Sequence, residues 1–403
     1  MDPKKPITRP RILLYSHDSV GLGHLRRTLT LAQSLSENLE NASFIVASGS
    51  EASLRFELPR GLEVVKLPSV GKGAMGEYTP RRLPGELGSL VRIRRALLLE
   101  LVESYRPHLL VVDNKVLGVA GELQEALDRQ KELGGRSILG LRDIIDRPEV
   151  VAREWDRPDI RRALIKNYDA VCVYGAPEVF DMRREYPVPR ELAQILHYVG
   201  YVVRPRKGLS FLSIPRLRPQ LLVTMGGGED GAERVERCLD ALALKAPAFD
   251  TVVVLGPLLD ATRTRQIKRR ARGMDFVTIH GFYEDMPRLF EASTAAVSMA
   301  GYNTMTELIR GRIPTVLLPR KRPREEQFLR AERFAKLGLG EVLDTPSAED
   351  LRAAMERALA RGKVQGWLPK LDGDQHFATL VRDLLGLPRS ASTPSLPCDS
   401  RIS

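Results

Sequence analysis

Short runs of apolar residues alternate with amphipathic stretches along the first 200 residues of the chain. The apolar runs predict strands over 11–15, 44–47, 62–67, 109–112, 137–141 and 170–174. Apolar residues at helical spacing predict helices near 25–35, 87–105, 116–133 and 148–167. A strand–helix alternation of this kind predicts a parallel β-sheet that helices cover on both faces.

The pattern changes near residue 204 and then repeats. The stretch 204–219 is rich in proline and basic residues and has no clean period, which is typical of an interdomain linker. A second series of strands is predicted over 221–224, 251–255, 276–279, 294–298, 315–318 and 341–343, with closing helices near 348–360 and 375–385. We therefore expect an α/β protein with two similar Rossmann-like domains that face each other across a cleft.

The same pattern sets the predicted domain boundaries. The segment rich in Ser and Pro at the end of the chain predicts a disordered tail. We expect a flexible N-terminus at 1–10, a first domain at 11–203, a linker at 204–219, a second domain at 220–387 and a tail at 388–403. Between Pro68 and Pro84 we expect a long loop of the kind that is often functional or mobile.

Each half of the chain opens with a strand, a glycine-rich turn and a helix. Such turns, at the carboxyl ends of parallel strands, are where α/β sheets bind ligands. The first turn contains Gly21 and Gly23 and ends in His24. It is not a dinucleotide fingerprint, because Arg26 occupies the third glycine position. The second turn contains Gly226, Gly227 and Gly228.

A further strand, turn and helix lie in the second half. The strand 294–298 meets Gly301, and Asn303 or Thr304 is expected to cap the following helix. The free N–H groups and the positive end of the helix dipole then suit a phosphate. Glu307, one turn further in, is placed to reach hydroxyl groups of the same ligand. An ordinary capped helix without a ligand explains the same pattern, so both interpretations stay open here.

Composition narrows the class of protein. The 403 residues, 43% apolar and 28% charged, are ordinary for a globular chain of two or three domains. A net charge of +11 admits nucleic acid, an anionic membrane or an anionic substrate. Aromatic residues make up only 6% and are not interleaved with basic stretches, so we expect no nucleic-acid partner.

Cysteine usage and hydropathy indicate the compartment. The three cysteines lie far apart without CxxC spacing, which argues against a zinc site or disulfides and fits a reducing cytoplasm. No apolar run approaches the roughly 18 residues of a membrane span, and no leader is apparent. The stretch 81–99 mixes arginines with apolar residues. It predicts either a peripheral contact with the inner face of an anionic membrane or a core helix with a basic outer side.

Three motifs follow one another in the second half: Gly281-Phe-Tyr-Glu-Asp-Met286, then Ala300 to Leu308, then a Pro314–Pro319 strand followed by Glu326-Gln327. With the two glycine turns, they resemble the GT-B-type glycosyltransferases. The resemblance is strongest to the MurG-like UDP-N-acetylglucosamine transferases, whose C-terminal domain is of the family 28 type. It implies an inverting, metal-independent transfer of a hexose or N-acetylhexosamine from a UDP-sugar, without a cofactor. The acceptor (a glycan, a lipid-linked sugar, a protein or a small molecule) stays open.

The resemblance also implies roles for matching positions. Phe282 would border the uracil, Glu307 would accept hydrogen bonds from the ribose hydroxyls, and Arg204 would reach the diphosphate. The amides placed at the diphosphate would be those of Gly301, Tyr302, Asn303 and Thr304. Glu326 and Gln327 would bind sugar hydroxyls. The loop with Gly21, Gly23 and His24 would face the acceptor. Two departures from the family, a longer turn at 226–231 and an acid at Glu326 in place of an amide, leave the donor sugar open.

An inverting transfer needs a base for the acceptor hydroxyl. His24 is the best candidate, since its pKa can be tuned near neutrality, although it could instead cap or orient the loop. Asp113 lies at a strand end and has three possible roles. It is a second candidate for the base, it could orient His24, or it could be a simple helix cap. We expect no metal site, because Asp372-Gly-Asp374 follows no strand. Two rival functions remain, a UDP-sugar 2-epimerase-like enzyme and a non-catalytic nucleotide-sugar-binding protein.

Overall fold

The computed structural model describes residues 7–17, 23–51, 53, 58–72, 77–204, 218–228 and 230–388. Gly21 of the first glycine turn, residues 205–217 of the predicted linker and residues 389–403 of the predicted tail lie outside this described part. The chain divides into two compact units. The first unit comprises Met1–Arg204 with Lys370–Ser403, and the second comprises Pro205–Pro369.

The first unit contains a seven-stranded sheet in the order β3-β2-β1-β6-β7-β8-β9. The strands of this unit are β1 (Arg11–Ser16), β2 (Ser43–Ser48), β3 (Leu62–Lys66), β4 (Val70–Lys72), β5 (Tyr78–Pro80), β6 (Leu109–Asp113), β7 (Arg136–Arg142), β8 (Ala170–Tyr174) and β9 (Leu196–Tyr198). Of these, β4 and β5 form a separate hairpin outside the sheet. The helices before residue 204 are α1 (Gly23–Asn38), α2 (Leu87–Tyr105), α3 (Gln124–Glu132), α4 (Pro148–Trp155), α5 (Pro158–Lys166), α6 (Met182–Glu185) and α7 (Arg190–Gln194).

The central strands of this sheet are parallel and buried on both faces. Leu14 of β1 pairs with Val46 of β2 on one side and with Val111 of β6 on the other, and all three side chains are buried. This double burial explains why the strands appear in the sequence as continuous apolar runs rather than as an alternation. The predicted strands of the first half are confirmed. The edge strand β9 was not predicted, because three residues are too few to show a period.

Two predicted helices are divided by residues that stop a helix. The stretch 148–167 forms α4 and α5 rather than one helix, because Pro158 begins the second of them. In the stretch 116–133, Gly118 and Gly121 adopt positive φ angles of 68° and 81°. A 3-10 turn at Val119–Gly121 therefore precedes the shorter helix α3.

The loop expected between Pro68 and Pro84 contains the antiparallel hairpin β4–β5, in which Val70 pairs with Pro80. Val70 is buried and packs with Leu90 and Val119. Beneath the hairpin, Arg94 Nη1 of α2 donates a hydrogen bond of 2.6 Å to the Pro68 carbonyl oxygen. Two three-residue strands therefore lie within the stretch that was expected to be a long loop, and its functional or mobile character stays a prediction. The packing that orders the hairpin comes from distant parts of the chain and leaves no local pattern.

The second unit contains a six-stranded parallel sheet in the order β12-β11-β10-β13-β14-β15. Its strands are β10 (Gln220–Thr224), β11 (Asp250–Val254), β12 (Val277–His280), β13 (Ala295–Ser298), β14 (Thr315–Leu317) and β15 (Glu341–Val342). Its helices are α8 (Ala232–Ala243), α9 (Ala261–Arg270), α10 (Met286–Glu291), α11 (Tyr302–Gly311), α12 (Glu326–Lys336) and α13 (Ala348–Ala360). The six strands predicted for the second half are confirmed.

The last helix, α14 (Gly373–Leu384), belongs to the first unit, although the sequence assigned it to a second domain at 220–387. It packs against α1, where Ser34 Oγ donates a hydrogen bond of 3.0 Å to the Asp374 carbonyl oxygen. The Phe377 ring also lies edge-on to the ring of Tyr174, with 6.2 Å between centroids. In this division into compact units, the second unit ends at Pro369 rather than at residue 387. Sequence shows the apolar face of α14 but not which domain that face covers.

Helix α2 contains residues 87–99 of the predicted basic and apolar stretch 81–99. Its inner face is part of the core, and Leu90, Leu98 and Val102 are buried. On its outer face Ile93 is 48% exposed and Leu97 is 38% exposed. Of the helices in the described residues, none combines the length and the apolar character needed to cross a membrane. The expected peripheral contact with a membrane stays a prediction.

Candidate active site

Two of the predicted catalytic residues meet at the carboxyl end of the first sheet. His24 lies in the first turn of α1, which follows β1, and Asp113 is the last residue of β6. Because β1 and β6 are neighbouring parallel strands, both residues reach the same edge. His24 Nδ1 lies 2.5 Å from Asp113 Oδ2. The other carboxylate oxygen of Asp113 accepts a hydrogen bond from Nη2 of Arg27, a buried arginine on α1.

Burial and charge fix the ionisation of this pair. Burial lowers the pKa of His24 to about 4, against the opposing attraction of Asp113. For Asp113, burial alone would raise the pKa, but the charge of Arg27 and the contact with His24 outweigh it and hold the pKa well below its usual range. Near pH 7 the site therefore contains a neutral imidazole, an ionised carboxylate and a guanidinium.

The hydrogen bond to Asp113 also assigns the tautomer of His24. An ionised carboxylate only accepts hydrogen bonds, so Nδ1 of His24 carries the proton and Nε2 keeps a lone pair. Arg27 Nη2 lies 3.1 Å from the same Nδ1 atom, and the carboxylate accepts from both donors. An imidazole held in this way is arranged to act as a general base through Nε2.

Two residues of this site were not found from the sequence. Arg27 lies three residues after His24 on α1, so the i, i+3 spacing could have indicated it. His17 follows β1 directly, and its ring lies edge-on to the His24 ring, with 5.6 Å between centroids. Gly23 is the first residue of α1, as the glycine turn predicted. Its partner Gly21 lies outside the described residues.

In the second unit, the predicted phosphate-binding turn is present, but the helix begins earlier than expected. Gly301 is the N-cap of α11, so capping by Asn303 or Thr304 is wrong. The reason is the backbone of Ala300, which adopts a positive φ of 60° and turns the chain two residues sooner. Tyr302, Asn303 and Thr304 therefore form the first turn of α11, where backbone N–H groups point towards the N-terminal end of the helix.

Two arginines support α11. Arg310, one turn after Glu307, donates a hydrogen bond to its carboxylate, and both side chains are largely buried. Arg330 of α12 donates a hydrogen bond of 3.1 Å from Nη1 to the Ala300 carbonyl oxygen. Its guanidinium also lies 5.9 Å from the centroid of the buried Tyr302 ring. Side chains that the sequence motif did not indicate thus stabilise the turn at Gly301.

The second glycine turn packs directly against another loop. Gly228 and Gly256 both adopt a φ of 93°, a conformation that favours glycine. A Cβ atom on Gly256 would lie 2.4 Å from the Gly227 carbonyl carbon, and one on Gly228 would lie 2.4 Å from the Leu255 carbonyl oxygen. Gly226 adopts a φ of 77°. Backbone therefore contacts backbone here, and Gly256, which no motif indicated, is required as much as the turn itself.

We expect Gly256→Ala to lower the free energy of unfolding by about 2–4 kcal/mol, because it combines backbone strain with a clash against backbone atoms that cannot move aside. Urea unfolding measures the change. Gly281→Ala is the matched control, since a Cβ atom there would meet nothing within 4 Å. Equal losses in the two variants would contradict the requirement for glycine at 256.

The predicted sugar-binding pair lies at the start of α12 and is organised by Arg320. Oε1 of the buried Glu326 accepts a hydrogen bond of 2.9 Å from Arg320 Nη2. With its amide oriented so that both groups have partners, Gln327 donates to the Met299 carbonyl oxygen at 2.8 Å and accepts from Arg320 Nε at 3.0 Å. Arg320 Nε also lies 3.0 Å from Asp230 Oδ2. Arg320 was not found from the sequence, because its role appears only when three distant segments meet.

Other predicted site residues are placed less fully. Phe282 lies between β12 and α10 and is 54% exposed. Arg204 ends the first of the two segments that make up the first unit. The assigned contacts of both residues with a nucleotide stay predictions. In the described part of the chain, no group of three or more His, Cys, Asp or Glu side chains is arranged to hold a metal ion.

Comparison with known proteins defines the class. Residues 221–365 match the family model described as glycosyltransferase family 28 C-terminal domain. Among solved structures, MurG of Acinetobacter baumannii aligns over 93% of this chain and 99% of its own, with a TM-score of 0.58 and 14% identity. The glycosyltransferase TcCGT1, solved with UDP, aligns over 94% of both chains, with a TM-score of 0.61 and 14% identity. The two parallel α/β sheets therefore form a GT-B fold.

Sequence relatives refine this assignment. An uncharacterized glycosyltransferase of Methanosarcina acetivorans is 23% identical over 376 residues, which cover 91% of this chain and 95% of the relative. A UDP-N-acetylglucosamine–N-acetylmuramyl-(pentapeptide) pyrophosphoryl-undecaprenol N-acetylglucosamine transferase of Geobacillus thermodenitrificans is 31% identical over 173 residues. That match covers 40% of this chain and 46% of the relative, about half its length. The chain thus has a GT-B fold, and its residues 221–365 match the glycosyltransferase family 28 C-terminal domain, with a distant similarity to MurG-type transferases.

Proposed function

We propose that this chain is an inverting, metal-independent glycosyltransferase that moves a hexose or N-acetylhexosamine from a UDP-sugar to a hydroxyl group of an acceptor. The observation that carries the proposal is the match of residues 221–365 to the family 28 C-terminal domain, a range that includes α11 with its N-cap Gly301 and Glu307. The His24–Asp113 pair of the first unit would supply the general base. The acceptor would be a glycan, a lipid-linked sugar or a small molecule.

The donor nucleotide would bind at α11. The first-turn amides after Gly301, together with the positive end of the helix dipole, favour a diphosphate. The same groups would stabilise the charge that develops on the departing nucleoside diphosphate, which is the task that a metal ion performs in other transferases. Glu307 would accept hydrogen bonds from the ribose hydroxyls, because its ionised carboxylate offers only acceptors.

The donor sugar would bind at Glu326 and Gln327. Glu326 is buried, and its Oε2 atom has no hydrogen-bond partner within the described residues. Burying a carboxylate oxygen without a hydrogen-bond donor costs free energy. A sugar hydroxyl that donates to this oxygen would therefore form a stronger hydrogen bond than it would in water. Arg320, which holds the other oxygen, fixes the direction in which Oε2 points.

The chemical step then uses His24. The acceptor oxygen attacks the anomeric carbon and forms the new glycosidic bond, while the bond from that carbon to the UDP oxygen breaks with inversion. The acceptor proton moves to Nε2 of His24, and the bonding electrons leave with UDP. Asp113 would stabilise the imidazolium that forms, because it accepts the Nδ1–H hydrogen bond.

Calorimetric titration of the purified protein with UDP, GDP, TDP and ADP tests the donor assignment. We expect selective binding of UDP, and we expect Glu307→Ala to weaken it by roughly 10–100-fold, because hydrogen bonds to a charged group contribute about 1.5–3 kcal/mol. Glu356→Ala, which removes an exposed glutamate of α13, should leave the affinity unchanged. If the folded protein bound none of the four nucleotides, the proposed transferase function would be abandoned.

A further inference from the structure

A second histidine lies against the proposed base. His17 is the first residue after β1, and it is only 1% exposed. Its ring is perpendicular to that of His24, with an interplanar angle of 90° and 5.6 Å between centroids. The donor-binding and proton-transfer steps described above give His17 no role. A buried polar ring packed against a catalytic imidazole nevertheless affects that imidazole directly.

His17 is in turn held by the hairpin β4–β5. The hydroxyl oxygen of Tyr78, the first residue of β5, lies 3.3 Å from His17 Nε2. The Tyr78 ring is edge-on to the His17 ring, with 6.0 Å between centroids. The hairpin is fixed by the buried Val70 and, at its base, by the hydrogen bond from Arg94 to the Pro68 carbonyl oxygen. A continuous series of contacts therefore runs from the hairpin through Tyr78 and His17 to His24.

We propose that His17 is a positioning residue that fixes the ring plane of His24, and that Tyr78 makes this orientation depend on the hairpin β4–β5. The inference rests on the proposed function, in which His24 is the base. The hydrogen bond from Nδ1 to Asp113 fixes the position of one ring atom of His24 but does not by itself fix the plane of the ring. Edge-to-face packing with a second ring removes this freedom and excludes water from one side.

Among the described residues, the groups that act on His24 lie on or next to four elements. Asp113 ends β6, Arg27 lies on α1, Arg142 ends β7 and acts on His24 through its charge, and His17 follows β1. Three of these groups act by charge or by hydrogen bonds. His17 contributes a ring whose removal would admit water beside the imidazole. The pKa of His24 should therefore depend on His17 even when Asp113 and Arg27 are intact.

Titration of the histidine ring protons by NMR tests this proposal without an acceptor. In His17→Ala we expect the pKa of His24 to rise from about 4 by at least one unit towards the ordinary value of about 6.5. Tyr78→Phe should shift it in the same direction by less, because the His17 ring remains but loses its hydrogen bond. His17→Phe should keep it near 4, since a ring still packs on His24. Tyr105→Phe, which removes the hydroxyl bonded to Ser43 in the same unit, is the matched control.

Turnover provides the second measurement, with UDP-N-acetylglucosamine as donor and water as acceptor. His17→Ala should lower kcat for hydrolysis by roughly 10–100-fold and leave KM for the donor unchanged. In the pH profile of kcat, the fall in rate on the acid side should move to higher pH. An unchanged His24 titration in both His17→Ala and Tyr78→Phe would overturn the positioning role, even if His24→Ala were inactive. Full activity of His24→Ala would contradict the proposed role of His24 as the base. The NMR titration would still decide separately whether His17 positions the His24 ring.

Discussion

Replacement of His24 by Ala is expected to slow sugar transfer by about 10²–10⁴-fold, the range that a positioned general base contributes. The nucleotide should bind with unchanged affinity, because the donor site is assigned to the second unit. The physical reason is that the acceptor proton then has no basic nitrogen within reach, while Asp113 remains paired with Arg27 and stays ionised. Release of UDP from a UDP-sugar at saturating donor measures the change.

The pH dependence sharpens this test. Only the neutral imidazole accepts a proton, and burial places the pKa of His24 at about 4. Transfer should therefore be nearly constant from pH 7 down to about pH 5, and below pH 4 it should fall tenfold for each pH unit. The matched control is Glu37→Ala, an exposed residue of the same helix. If His24→Ala kept its rate within about threefold, His24 would no longer be the base and Asp113 would be the remaining candidate.

The sheets could be predicted because their strands are buried on both faces. In β1 every residue from Ile12 to Tyr15 is buried, so the strand is visible as an apolar run in the sequence. Helix α2 has the predicted bounds, because a period of 3.6 is clear over 19 residues. The hairpin β4–β5 and the placement of α14 with the first unit depend on packing between distant segments. Such packing leaves no trace in local periodicity.

The candidate site was predictable where it follows from topology. His24 follows the end of β1 and Asp113 ends β6, and strand ends in a parallel sheet meet at one edge, so the pair could be expected. The other groups that contact this pair could not be predicted from the sequence. His17 and Arg27 belong to it through the directions of their side chains, which the local sequence pattern does not show. Gly256 belongs to the second site only because two loops approach within contact distance.

A buried ion pair of the first unit should be costly to break. Arg94 and Glu122 form two parallel hydrogen bonds of 2.5 Å and 2.7 Å, and their side chains are 1% and 0% exposed. Tyr15 donates a further hydrogen bond of 2.6 Å to the same carboxylate. We expect Glu122→Ala to lower the free energy of unfolding by about 3–5 kcal/mol, because it leaves a guanidinium buried without its counter-charge. Urea unfolding measures the loss.

An exposed pair of the same unit provides the control. Arg82 and Glu51 are also doubly bonded, but their side chains are 74% and 38% exposed, so Arg82→Ala should cost less than about 1 kcal/mol. The double variant Arg94→Met with Glu122→Leu should recover much of the loss, since it removes both charges together and leaves neither unpaired. A Glu122→Ala loss no larger than that of Arg82→Ala would mean that water reaches Arg94. The hairpin that Arg94 holds would then be less firmly anchored to α2 than its hydrogen bond to Pro68 indicates.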